Sequence, residues 1–277
     1  FGWLDSALTS AKTIIDIDAQ IEGDQGKLNI DNFRIKSEKN DIIADIAAHV
    51  EKDEHGHSSF SAKIKKVQIK GNAFSEIIAL PHLDSTLTAT LLRLKNIDFT
   101  GQIEKTKENV NLKGYIDTEC GGIDINIESD KNTIISGDIK TNNFNIGQLT
   151  DNEKFGHASF SLQGTDIKEV STKDKESITG NIAGVINEIE YYGYKYTGID
   201  ISAFSNIDVV GGEVNVNDEN LRLSFSGSIE TKTNMKKCHL SLIVNKFRPY
   251  TLNITSNYKG DNFSLNATAN VSGNNIN

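Results

Sequence analysis

The side chains best suited to chemistry fall in three short clusters. Asp53-Glu54-His55-Gly56-His57 is the one compact group of metal-capable residues. Zinc needs three or four converging ligands and an ordered second shell. A polar hairpin turn uses the same Gly and acids, and the turn is the expectation here. Asn215-Val216-Asn217-Asp218-Glu219-Asn220 supplies oxygens that calcium takes, without the Gly position and terminal Glu of an EF-hand loop. It predicts a turn between Val216 and Leu221. Tyr191-Tyr192-Gly193-Tyr194-Lys195-Tyr196 is the one aromatic concentration. It suits either a stacking platform for sugars or bases or a tyrosine-rich hairpin. Alternation places Tyr192, Tyr194 and Tyr196 on one face of a tight turn centred on Gly193. His157 has no neighbouring ligand and reads as a surface histidine.

No nucleophile elbow, phosphate loop, dinucleotide fingerprint or HExxH is present. The reading is therefore non-enzymatic, with no cofactor and no metal. Cys120 and Cys238 are the only cysteines, which is neither a disulfide framework nor a zinc spacing. The net charge is −9 with a sequence pI near 5.2. Phosphate backbones repel such a chain, which argues against nucleic acid as a partner. Lys63, Lys65 and Lys66 lie among acids and read as a solvated strand face.

The elements that carry these clusters alternate with a period of two. Hydrophobic residues make up 37% of 277 and aromatics 7%, too little for a deep core, so a thin architecture fits better. Trp3, Leu4, Ala7, Leu8 and Ala11 share a helical face, giving a short helix over 1–12. Ile15, Ile17, Ala19 and Ile21 then alternate with polar residues. Leu28 and Ile30 alternate until Asn32 shifts the phase to Phe33 and Ile35, which predicts a bulge. Ile42 to Val50 follows, then Phe60 to Ile64 and Val67 to Ile69. Phe74, Ile77 and Ile78 have helical spacing over 73–80, before Pro81. Leu87, Ala89 and Leu91 resume the strand pattern. Later strands carry Leu112, Ile125, Ile139, Phe160, Ile182, Ile201, Val214, Leu223, Phe225, Leu242, Leu252, Ile254 and Leu265, with a helical turn near 145–150. The total is about eighteen strands.

Internal echoes are present. Gly56-His57-Ser58-Ser59-Phe60-Ser61 matches Gly156-His157-Ala158-Ser159-Phe160-Ser161. Val110–Thr118 (VNLKGYIDT) matches Leu223–Thr231 (LSFSGSIET). Each echo spans roughly a hundred residues, longer than most solenoid repeats, so the unit is a multi-strand module. A Gly on the apolar side thins the wall or lets the sheet bend.

The stretch 144–231 carries a family resemblance. Its motifs run Asn143-Phe144-Asn145-Ile146-Gly147-Gln148-Leu149, Gly156–Phe160, Gly180-Asn181-Ile182, Ile189–Tyr196, Ile199-Asp200-Ile201, Gly212–Leu221 and Phe225–Glu230. In this order they resemble the TamB branch of the AsmA-like family, particularly its Bacteroidota versions. Residues 27–80 look like an earlier module of the same kind. The resemblance implies an all-β, elongated, folded-over antiparallel sheet, a β-taco with an apolar groove. Repeated multi-strand modules with a few short helices would build it. It divides the chain into the helix of 1–12, a first module over 13–143 and a second over 144–277. It implies a periplasmic segment of an intermembrane bridge in outer-membrane biogenesis, tethered to the inner membrane by a segment outside this sequence. The partners implied are phospholipid, a barrel of the TamA/BamA type and neighbouring modules of a longer chain. It supplies no catalytic residues.

The residues accommodate that picture. Strands stand about 4.8 Å apart, so some eighteen would line a trough about 80 Å long. The expected groove residues are Ile15, Ile17, Ile30, Ile46, Phe60, Ile64, Leu112, Ile125, Phe160, Ile182, Ile201, Val214, Leu223, Phe225, Leu242 and Leu265. Three rivals share the strand pattern. An outer-membrane barrel needs aromatic girdles. An adhesive or glycan-binding β-protein would use Tyr192–Tyr196. A chaperone groove would pair barrel precursors at open sheet edges.

Overall fold

A computed structural model describes residues 14–24, 26–78, 85–171, 176–230 and 236–273. The expected helix over 1–12 lies outside the described residues. Alternating β-branched and polar residues form fifteen strands among those described. These are β1 (Ile15–Asp24), β2 (Lys27–Ser37), β3 (Ile42–Lys52), β4 (Ser58–Lys70), β5 (Asn96–Lys105), β6 (Asn109–Thr118) and β7 (Gly121–Asp130). There follow β8 (Ile135–Asn145), β9 (Phe155–Ser171), β10 (Glu176–Tyr191), β11 (Tyr194–Ser205), β12 (Val209–Asn217), β13 (Leu221–Glu230), β14 (Lys236–Phe247) and β15 (Phe263–Gly273). Among the described residues three short helices interrupt them: α1 (Gly71–Ile78), α2 (Ser85–Leu92) and α3 (Ile146–Thr150). The strands form one antiparallel sheet in sequence order, with β1 and β15 at its two edges, so it is not closed into a barrel.

The chain divides into two compact units. The first holds the described residues up to Lys131 together with Gln148–Asp151. The second holds Asn132–Gly147 and the described residues from Asn152 onward. The division falls in the β7–β8 turn, so β8 packs with the strands that follow it.

The sequence pattern overcounts strands for three local reasons. Phe60–Ile64 and Val67–Ile69 are one strand, β4, whose register shifts between Ile64 and Val67. Lys65 and Lys66 together oppose the single Thr100 in that bulge, whose one extra residue keeps Ile64 and Val67 on the same face without ending the ladder. Leu87, Ala89 and Leu91 lie in α2, not in a strand. Leu and Thr alternate there, but Leu87 and Leu91 are also four apart, one helical turn. The chain seats Leu94 (8% exposed) directly after that turn. Leu252 and Ile254 lie in a turn-rich segment between β14 and β15. Conversely, β5 was not among the expected strands, although Ile97, Phe99, Gly101 and Ile103 alternate through it. The bulge at Asn32 is present, with the register shifting between Ile30 and Phe33. The helix expected over 73–80 is present as α1 up to Ile78, with 79–80 outside the described residues, and it buries Phe74 (1% exposed).

Candidate functional site: an apolar sheet face

Directly paired residues in an antiparallel sheet share a face, so the registers line apolar side chains up in rows across the strands. In the first unit one row runs Ala19, Phe33, Ile46, Ile64, Gly101, Gly114, Ile125 from β1 to β7. The row beside it runs Ile17, Ile35, Ala44, Val67, Phe99, Ile116, Ile123. In the second unit a row runs Ile139, Leu162, Gly184, Ile201, Val214, Phe225, Leu242, Ala267 from β8 to β15. The opposite face carries mostly Asn, Ser, Thr and charged residues, with Ile43, Tyr115, Val185, Phe204 and Ile243 set among them. Ion pairs cross it at Lys27–Glu51 (2.9 Å), Lys66–Asp98 (3.2 Å) and Lys65–Asp45 (3.5 Å), as the lysine pattern predicts.

All sixteen expected groove residues fall on the apolar face of their own unit. Ile15, Ile17, Ile30, Ile46, Phe60, Ile64, Leu112 and Ile125 lie on that of the first. Phe160, Ile182, Ile201, Val214, Leu223, Phe225, Leu242 and Leu265 lie on that of the second. They differ in cover. Ile64 is buried, whereas Ile17 on the edge strand is 62% exposed and Leu265 is 52% exposed.

The face of the second unit is itself divided. Ile182, Ala203, Gly212, Gly227 and Leu240 form one strip by register, and Ile182 is 44% exposed. With Ile201, Val210, Val214, Phe225 and Ile229 they line an open cleft of ≈ 480 Å³. Gly212 pairs with Gly227 in its floor. The strip toward the other strand ends is closed. Tyr196, Ile199 and Val216 are 6%, 8% and 9% exposed, and they pack against Leu252, which is fully buried. The apolar wall of this unit is therefore open along one strip and sealed along the next, not open throughout.

In the first unit the matching glycine pair is covered. Gly101 pairs with Gly114, and the Phe99 ring lies over both, so a Cβ at Gly101 would meet Phe99 Cζ at 2.7 Å. Burial pushes the Cys120 thiol up, and its Sγ donates to the Arg93 carbonyl at 3.5 Å. Cys120 and Cys238 are both free and buried.

The three polar clusters resolve as turns. Asp53 accepts from the His55 and His57 amides at 2.9 and 2.8 Å in the β3–β4 hairpin. Hydrogen bonding by His57 holds its carboxyl below the ordinary value. Among the described residues no three His, Cys, Asp or Glu side chains converge as metal ligands. Asp218 sits buried in the β12–β13 turn. It accepts from the Tyr194 hydroxyl (2.6 Å), from the Thr197 amide and hydroxyl (3.0 Å each) and from the Asn220 amide (2.8 Å). Burial alone would raise its pKa, but these hydrogen bonds outweigh burial and hold it below the usual carboxylate range. The tyrosine hairpin differs from expectation in one residue. Tyr192 and Gly193 form the two-residue turn, with φ 50° and 71°, which matches a type I′ hairpin. Tyr191 pairs with Tyr194 and joins it and Tyr196 on the inner face, while Tyr192 is exposed. The turn takes Tyr192 out of the alternation. Burial pushes the Tyr196 hydroxyl up to about 12.

Leu252 and Phe99 were not among the expected site residues. Phe99 was legible from the Ile97–Ile103 alternation. Leu252 carried no signal, because its partners lie far away in sequence. No helix among the described residues is long and apolar enough to cross a membrane. Comparison with protein-family models, curated proteins and solved structures finds no match to this chain.

Proposed function

We propose that this chain is a periplasmic segment of a TamB/AsmA-like bridge that carries phospholipid by its acyl chains between inner and outer membranes. It acts without catalysis. The observation that carries the reading is the alignment of sixteen groove residues on the apolar faces, with the strip around Ile182 and Phe225 still reachable from solvent. Neighbouring rows present similar aliphatic side chains strand after strand. A chain lying across them meets nearly equal energy at each step, about 0.8 kcal/mol per buried CH₂, and slides. The cleft is open on one side, so a polar headgroup keeps its water. The order of motifs over 144–231 supports the same family. Neighbouring modules of a longer chain would extend the sheet at β1 and β15, and a TamA/BamA-type barrel would receive the cargo.

Photocrosslinking in cells from Ile125 and Phe225, with native mass spectrometry of the purified chain, tests this. Phospholipid bound to the folded protein and attached at both positions is the expected result. A stably folded chain that carries no lipid, and crosslinks only unfolded barrel precursors, replaces the reading with a chaperone groove that pairs strands at the open edges of β1 and β15.

A further inference from the structure

Residues 248–262 join β14 to β15 and contribute no strand. Hairpin loops are usually short, and a loop of this length without regular structure is uncommon outside functional segments. The segment turns back over the apolar face of its own unit and seats Leu252 (0% exposed) against Tyr196, Ile199 and Val216. We infer that it is a displaceable strap, an autoinhibitory contact in which Leu252 holds one strip of the wall until an alkyl chain takes its place. The inference rests on the groove reading above and specifies how occupancy of that same wall is controlled.

The geometry favours exchange over permanent cover. Of the strap, only Pro249 and Leu252 are buried, while Tyr250, Ile254 and Tyr258 are exposed. It is tied to the sheet and its turns by the Arg248 amide to the Asn220 carbonyl (3.1 Å), Arg248 Nη1 to Asn220 Oδ1 (3.4 Å), Asn253 Nδ2 to the Tyr192 carbonyl (3.0 Å) and, at its far end, the Phe247 amide to Asn262 Oδ1 (3.2 Å). Its other bonds are local: the Leu252 amide returns to Arg248 at 3.1 Å and the Ile254 amide to Pro249 at 2.9 Å. The strap can thus lift as a preformed turn. Its seating carries costs. Arg248 Nε is buried without a hydrogen-bond partner, and Tyr258 holds φ 60°, a region a tyrosine rarely adopts. One leucine therefore carries most of the apolar contact, and a run of methylenes on the same strip offers contact of the same kind. The adjoining open strip, floored by Gly212 and Gly227, lets a chain end approach the strap from the side.

The full-length chain carrying C120A, C238A and Leu252→Cys tests this with a polar maleimide. Vesicles of phosphatidylethanolamine and phosphatidylglycerol are the lipid probe, and a photoreactive residue at Ile182 reports occupancy of the open strip. Alkylation of Cys at position 252 is expected to be slow alone and about tenfold or more faster with vesicles, because its rate follows the fraction of time the strap is lifted. Lipid attached at Ile182 with no change in alkylation overturns the strap and leaves the groove reading standing. No lipid at Ile182 removes both. A second chain, with 249–260 replaced by Asn-Gly, is expected to fold and bind more lipid per molecule. If it folds with unchanged capacity, or fails to fold, the segment is a fixed part of the core and the inference is wrong.

Discussion

The two units place a glycine opposite a glycine on the apolar face and finish the wall differently. Gly101 and Gly114 lie beneath the Phe99 ring, which comes from their own strand set. Gly212 and Gly227 lie in the floor of an open cleft, where a Cβ at Gly227 would stand 2.9 Å from Leu240 Cδ2 and 3.4 Å from Phe225 Cζ. Cover in that unit comes from Leu252, outside the sheet, and falls on the neighbouring strip. The sequence echo includes this position, since Val110–Thr118 and Leu223–Thr231 align Gly114 with Gly227. A paired glycine therefore thins the wall more where the neighbouring ring stands back from it, as Phe225 does from Gly227, than where it lies over both glycines, as Phe99 does. The same motif yields a filled surface in one unit and the floor of an open cleft in the other.

Removing the two covers tests that contrast most strongly. Leu252→Ala empties a fully buried site, and a loss of about 2–4 kcal/mol is expected, read from urea unfolding. Phe99 is half-buried, so Phe99→Ala is expected to cost about half of a core Phe→Ala loss, ~2 kcal/mol. The same change should bare Gly101 and Gly114 and raise binding of a fluorescent fatty acid to the first unit. Unchanged binding would mean that a bare glycine pair is not what makes a lane.

The glycines themselves separate the units by a smaller margin. A Cβ at Gly114 meets the Phe99 ring and the Thr100 carbonyl, a backbone atom that cannot step aside. Gly114→Ala is expected to cost about 1–3 kcal/mol. At Gly227 the nearest atom is Leu240 Cδ2 at 2.9 Å, the end of a flexible side chain. Gly227→Ala should therefore cost less than about 1 kcal/mol. Equal losses in thermal or urea unfolding would show that both floors are equally tight.

The smallest effect concerns acid. Asp218 anchors Asn220, to which Arg248 at the root of the strap is bonded. Its carboxyl titrates below its ordinary value of 3.8 in the folded chain. Its contribution is then complete above the unfolded value and is lost as pH falls through the folded one. Stability followed from about pH 6 to about pH 3 should drop less steeply in Asp218→Asn than in the parent chain. Parallel curves would exclude Asp218 as a source of the acid sensitivity.

Much of this architecture is legible residue by residue. Ile15 to Ile21, Ile42 to Val50 and Leu221 to Phe225 alternate so regularly that only one face can hold their apolar side chains. The phase slip at Asn32 marked a bulge because Phe33 and Ile35 would otherwise face water. Asp53–His57 and Asp218–Asn220 read as turns from composition alone. Each of these depends on side chains within a few positions of one another.

Other features were decided by contacts distant in sequence. The alternation at Leu87–Leu91 suits a strand and a helix equally, and helix α2 resulted where the chain seats Leu94. Leu252 and Ile254 alternate like strand residues, yet Leu252 buries itself against Tyr196, Ile199 and Val216, dozens of positions earlier. Local periodicity records which face a side chain prefers. Which distant segment arrives to cover that face depends on the packing of the whole unit, so the apolar face of each strand was readable from the chain and the open and closed strips were settled only by its folding.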